Sequence, residues 1–199
     1  MATPWLIAGL GNPGPKYERT RHNAGFWFVE ALARRSGLML KPERKLHGRA
    51  VKGRVCGVEA ILLAPETFMN DSGRSLRAAR DFYRIGMDRV LIAYDELDLP
   101  PGTARLKSGG GHGGHNGLRS IFAHLGTPEF WRLRIGIGHP GLAEQVTPWV
   151  LGRAGADDQQ AIDNSIDKAL DVMPDFLGDR SGEAMKVLHA RQTGPASGS

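Results

Sequence analysis

Between Gly109 and Gly117 the chain reads GGGHGGHNG, six glycines interleaved with His112, His115 and Asn116. Glycine loses more backbone freedom on ordering than any other residue. Six of them in nine positions therefore imply a backbone that takes positive φ angles or lets a ligand come very close. The interleaved imidazoles and amide can donate and accept hydrogen bonds, and none carries a permanent charge. The segment reads as the floor of a site for a large polar substrate.

Other groups in the chain could complete such a site. His22 lies in Thr20-Arg21-His22-Asn23 at a helix start, with Tyr17, Arg19 and Arg21 around it. Thr20 is the expected N-cap of that helix. Asn12 sits on the turn just before, in GLGNPG. Asp95-Glu96-Leu97-Asp98 closes an apolar run, and an acid there can orient a histidine and stabilise its charged form. Phe68-Met69-Asn70 lies between a strand and a helix. There Asn70 can bind a carbonyl or hydroxyl, and Phe68 can stack on a base or ribose.

Several chemistries are excluded. GLGNPG matches the dinucleotide fingerprint G-x-G-x-x-G, but that motif must open a helix directly. Here Pro13 and Pro15 remove backbone donors and the helix waits until about Thr20. There is no H-E-x-x-H, and His112 and His115 in a glycine loop have poor ligand spacing, so no metal is expected. No G-x-S-x-G elbow is present, and Cys56 has no histidine beside it. A hydrolase built from these parts would use water activated by a histidine.

The elements that must carry these groups alternate along the chain. Apolar runs at 5–10 and 90–94 read as buried strands. Residues 46–55 and 58–64 read as a hairpin turning at Cys56-Gly57. Further strands are expected near 103–107 and over 130–138. Helices are expected over about 20–35, 73–84 and 117–125. A helix through Ile162, Ile166, Ala169, Leu170 and Met173 should break near Pro174, with another at 180–191. This alternation indicates an α/β fold, a single domain with a mixed, mostly parallel central sheet flanked by helices. Residues 1–192 form the expected domain and 193–199 a flexible C-terminal tail. Ligands of such sheets gather beyond the carboxyl ends of the strands, which is where the polar motifs fall.

The 199 residues are 41% hydrophobic and carry a formal net charge of +5. No run approaches the roughly 20 apolar residues of a membrane helix. The first residues lack the basic and apolar regions of a signal peptide. The single cysteine allows no internal disulfide, so a cytoplasmic location is expected. The basic excess lies in residues 1–55, net +8, and 101–153, net +4. Such asymmetry suits a polyanionic partner. Arg105, Lys107 and Arg134 flank the glycine loop in sequence and are the candidate phosphate contacts.

Five segments together resemble the bacterial peptidyl-tRNA hydrolase family: GLGNPGPKYERTRHNAG (9–25), PETFMNDSG (65–73), DELDLPPG (95–102), GGGHGGHNGL (109–118) and RLRIGIGHP (132–140). They occur in the family's order and span most of residues 5–152, weakening after Leu151-Gly152. The resemblance implies a monomeric, single-domain enzyme without cofactor or metal. It would cleave the ester between a peptide and tRNA, binding tRNA but neither DNA nor membrane. By the same resemblance His22 is the general base, Asp95 its acid partner, and Asn12 the residue that tells a blocked α-amino group from a free one. Tyr17, Phe68, Asn70 and Asn116 align with positions that bind the tRNA acceptor end, and Met69 joins them. An amide side chain or a glycine-loop N–H would hold the oxyanion, and the sequence leaves open which. His112 and His115 either tune the site or satisfy loop backbone. A non-catalytic RNA-binding module on the same fold is the rival, but it has no need for a base and its acid partner.

Overall fold

The computed structural model describes residues 2–190; the expected tail at 193–199 lies outside the described residues. Seven strands form one sheet: β1 (Trp5–Gly9), β2 (Lys41–Glu43), β3 (Gly48–Val55), β4 (Val58–Pro65), β5 (Val90–Glu96), β6 (Ala104–Ser108) and β7 (Trp131–Gly136). Their spatial order is β2-β3-β4-β1-β5-β7-β6. The four central strands β4, β1, β5 and β7 run parallel, and both flanks are antiparallel. The sheet is thus mixed with a parallel centre, as the alternation of apolar strands and helices indicates.

The central strands are apolar because both sheet faces are covered. The whole of β1, WLIAG, is buried. On one face pack α1 (Ala24–Arg35), α5 (Ala156–Asp171) and α6 (Met173–Leu177), through Phe28, Val29, Ile162, Ile166 and Phe176. On the other pack α2 (Ser72–Tyr83) and α3 (Asn116–Leu125), through Leu76, Ala79, Leu118 and Ile121. The short α4 (Val146–Val150) and the final α7 (Ser181–Leu188) complete the fold.

The β3–β4 hairpin turns at Cys56 and Gly57, both at positive φ (50° and 82°), the two-residue geometry whose twist matches the strands. Two local expectations fail, and two short elements leave no trace in the sequence. Leu46 belongs to a 3-10 turn rather than to the hairpin strand. The three-residue β2 and five-residue α4 are too short to leave a periodic signal in the sequence. Thr20 does not cap the helix at its start. Its hydroxyl instead donates to the Tyr17 carbonyl at 2.9 Å, closing the preceding turn.

β1 lies between β4 and β5; the chain leaving β1 runs to α1 on one face of the sheet and the chain leaving β4 runs to α2 on the other. The crevice beyond the β1 and β4 carboxyl ends is therefore open to loops, and β5 adjoins it. Asn12 follows β1 and Asp95 lies near the end of β5.

Candidate active site

The Leu10 amide donates to the Ala93 carbonyl at 3.0 Å, so the chain stays paired with β5 as it enters the Asn12 turn. Asn12 and Asn23 then lock each other. The Asn12 N–H donates to Asn23 Oδ1 at 2.8 Å, and Asn23 Nδ2 donates to the Asn12 carbonyl at 3.0 Å. Asn12 Oδ1 accepts the Met69 amide at 2.7 Å. That bond engages one of the two lone pairs of the amide oxygen and fixes the orientation of the group, whose Nδ2 hydrogens can be offered to a substrate.

His22 stands on a 3-10 turn, Arg21–Asn23, directly before α1. Close packing of α1 on the sheet brings it there. A methyl group on Gly25 would overlap the Ala93 carbonyl oxygen and the Leu10 amide nitrogen, so only glycine lets the helix start so near β1 and β5.

His22 Nδ1 lies 2.8 Å from Asp95 Oδ2. A second imidazole takes the other carboxylate oxygen, with His115 Nε2 2.8 Å from Asp95 Oδ1. His115 Nδ1 accepts the Gly117 and Leu118 amides at 3.1 and 3.3 Å, capping α3. That nitrogen therefore carries no proton, and Nε2 donates to Asp95. By the same logic His22 donates from Nδ1 and keeps Nε2 as the basic nitrogen.

Asp95 is 2% exposed. Burial alone raises its carboxyl, but the charges and hydrogen bonds of the two imidazoles outweigh that and hold it well below the usual carboxylate range. For His22 burial pulls the other way, downward. The Asp95 charge and hydrogen bond prevail and leave its pKa above the ordinary 6.5.

A groove of about 360 Å³ joins His22 to Asn12, Phe68, Met69, Asn70, Asn116, Thr147, Val150 and Leu151. Phe68 is 62% exposed at its rim. The Tyr17 ring meets Phe68 edge-on with centroids 6.5 Å apart. The structure thus gathers His22, Asp95, Asn12, Tyr17, Phe68, Met69, Asn70 and Asn116. Lys107, Arg105 and Arg134 do not line this groove. They lie on β6 and β7, with Arg105 opposite Arg134 in register, and Arg134 is paired with Glu96 at 2.7 Å.

Three groups lie outside the sequence reading, namely Asn23, Arg132 and the α4 wall, while the two histidines left open there now divide their roles. Asn23, a motif residue with no role assigned from the sequence, locks the Asn12 turn. His115 proves to be Asp95's second partner, whereas His112 serves the loop, its Nδ1 accepting the Gly114 amide at 3.0 Å. Arg132, fully buried, anchors the glycine loop by donating to the Gly110 and Gly111 carbonyls. The α4 wall was not foreseen at all. An arginine inside the apolar strand RLRIG was the available signal for Arg132.

Among the described residues one group, His22, Asp95 and His115, brings three potential metal-ligating atoms within 4.8 Å. Both nitrogens facing Asp95 carry hydrogen-bonding protons, one to each carboxylate oxygen, so these atoms satisfy one another. Chemically the arrangement can serve as a base, an acid partner and a second support, with His22 on the groove.

The chain matches the family described as peptidyl-tRNA hydrolase over residues 6–196. It is 53% identical over 186 residues to the peptidyl-tRNA hydrolase of Acidithiobacillus ferrooxidans, covering 94% of this chain and 98% of that one. It is 55% identical over 189 residues to that of Xanthomonas campestris pv. campestris, covering 95% and 98%. A crystal structure of peptidyl-tRNA hydrolase from Acinetobacter baumannii superposes with a TM-score of 0.92 at 50% identity, covering 96% of each chain. Sequence and fold agree over nearly the full length, and the chain belongs to the peptidyl-tRNA hydrolase family.

Proposed function

We propose that this protein hydrolyses the ester between the peptide, or an N-blocked aminoacyl group, and the terminal ribose of tRNA, freeing tRNA during translation. The observation that carries the mechanism is the short contact from His22 Nδ1 to Asp95, which leaves Nε2 as a free base on the groove. Water loses a proton to Nε2 as its oxygen attacks the ester carbonyl. The imidazolium that forms is stabilised by Asp95, which keeps its charge and fixes the ring orientation. The tetrahedral intermediate collapses with breakage of the bond to the ribose oxygen. The imidazolium returns its proton to that leaving oxygen, so the base is regenerated.

Asn12 Nδ2 offers donors beside the reacting carbon. They suit the carbonyl oxygen of an N-acyl group and have nothing to accept from a free ammonium, which carries only donors. Tyr17, Phe68, Asn70, Met69 and Asn116 receive the acceptor end. Arg105 and Lys107, with Arg134 beside them, contact phosphates farther along the tRNA. The reaction needs no cofactor and no metal, and the protein works as a cytoplasmic monomer. No helix of the described residues is long and apolar enough to cross a membrane.

Release of N-acetyl-aminoacyl groups from tRNA, with EDTA present, tests this reading. Wild-type protein should turn over, and folded His22→Ala should lose about 10²–10⁴ in rate. A loss under fivefold contradicts the role of His22. tRNA binding without any wild-type hydrolysis favours the non-catalytic RNA-binding module.

A further inference from the structure

Arg21 takes no part in the proton chemistry, yet it is as buried as His22 beside it, at 7% and 8% exposure. A desolvated guanidinium is costly unless its surroundings compensate it. Here part of the compensation comes from the segment that walls the groove, while Arg21 Nε is buried without a hydrogen-bond partner among the described residues. Arg21 Nη1 donates to the Trp149 carbonyl at 2.9 Å, and the guanidinium carbon stands 3.6 Å from the Trp149 ring centroid. The Arg21 amide donates to the Gly152 carbonyl at 3.0 Å, and Thr20 forms an isolated antiparallel bridge with Arg153. Trp149 Nε1 in turn donates to the Gly138 carbonyl at 3.0 Å.

α4 is thus held at two points, by the turn that carries His22 and by the chain leaving β7. Thr147, Val150 and the following Leu151 line the groove together with Phe68, Asn70 and Asn116. Gly152 lies where a side chain would intrude. A methyl group there would stand 3.2 Å from Arg21 Nη1 and 3.0 Å from the Pro148 carbonyl oxygen.

We infer that Arg21 is a positioning residue that clamps α4 at a set distance from the His22 imidazole, so the acyl-tRNA end meets a preformed groove. The inference rests on the hydrolase reading above. A planar group that stacks and donates at once is required, which lysine does not provide. Arg21 touches the wall and not the reacting atoms, so it should act on substrate binding, while burial and Asp95 together set the basicity of His22.

The test compares wild type, Arg21→Met, Arg21→Lys and Gly152→Ala on N-acetyl-aminoacyl-tRNA, with circular dichroism and Tm as checks on folding. Arg21→Met should raise KM about tenfold with kcat changed less than threefold. Its pH–rate midpoint should stay at the wild-type value, and trypsin should cleave faster after exposed Arg153. Gly152→Ala should shift KM and cleavage in the same direction, and Arg21→Lys should restore only part of the loss. If Arg21→Met does not fold, Gly152→Ala carries the test by the same readouts. Wild-type kinetics and cleavage in the folded variants would overturn the inference. So would a fall in kcat with unchanged KM and a displaced pH midpoint, which would place Arg21 on His22 itself. An inactive wild type would instead overturn the hydrolase reading.

Discussion

At the scale of single residues, the site turns on which atoms are already engaged. Asn12 Oδ1 is held by the Met69 amide, which fixes the amide orientation so that the side chain addresses substrate through its Nδ2 donors. Asn12→Asp should keep the Met69 contact, since a carboxylate oxygen accepts it equally well, and lose those donors. The expected result is a narrowed preference for N-blocked over free aminoacyl-tRNA, read as the ratio of kcat/KM for the two substrates. An unchanged ratio would remove Asn12 from the discrimination. His115 follows the same logic. Its Nδ1 is committed to the α3 amides and its Nε2 to Asp95, so it orients the acid while His22 keeps the free nitrogen.

At the scale of elements, the site depends on how closely α1 approaches the sheet. Gly25→Ala places a methyl group against the backbone of β1 and β5 and pushes the His22 turn away from Asp95. Overpacking of this kind costs about 1–3 kcal/mol. Thermal or urea unfolding should show a loss in that range, with activity reduced more than the stability loss explains. Wild-type stability and rate in Gly25→Ala would refute the tight α1 contact. The long elements were legible in the sequence because burial on both faces leaves runs such as WLIAG and VLIAY, and because the helices repeat their apolar residues at helical spacing. The His22, Asp95 and Asn12 positions were legible because their motifs follow strands or open a helix. The α4 wall was not, since five residues through Pro148 leave no period and are held by tertiary contacts to Arg21. Thr20 misled because its hydroxyl found a nearer carbonyl, and the pairing of His115 with Asp95 spans 20 residues that no local pattern joins.

At the scale of the whole molecule, the charge asymmetry should govern how tRNA arrives. Lys107 is exposed on the β6 edge strand, and Arg105 lies two residues before it on the same strand face. Phosphate contacts release counterions, so affinity for tRNA should fall steeply with salt. Lys107→Ala and Arg105→Ala should each weaken binding uniformly across tRNAs and reduce the slope of log K against log salt by about one. Arg134→Ala should do less, because Glu96 already neutralises that guanidinium. Binding that ignores salt would contradict the phosphate assignment. The net charge of +5 is small enough that these local cations, rather than the overall charge, decide where the polyanion lies.

The most direct test of the central claim is the pH–rate profile of wild type against Asp95→Asn. His22 must be neutral to act as a base, and Asp95 holds its pKa above 6.5. Wild-type activity should therefore fall as pH drops through a midpoint above 6.5. In Asp95→Asn burial acts without the opposing charge, so the midpoint should move below 6.5 while the plateau rate drops by about 10²–10⁴. An unmoved midpoint, or a plateau near that of wild type, would contradict the account of His22 as a base oriented and raised by Asp95.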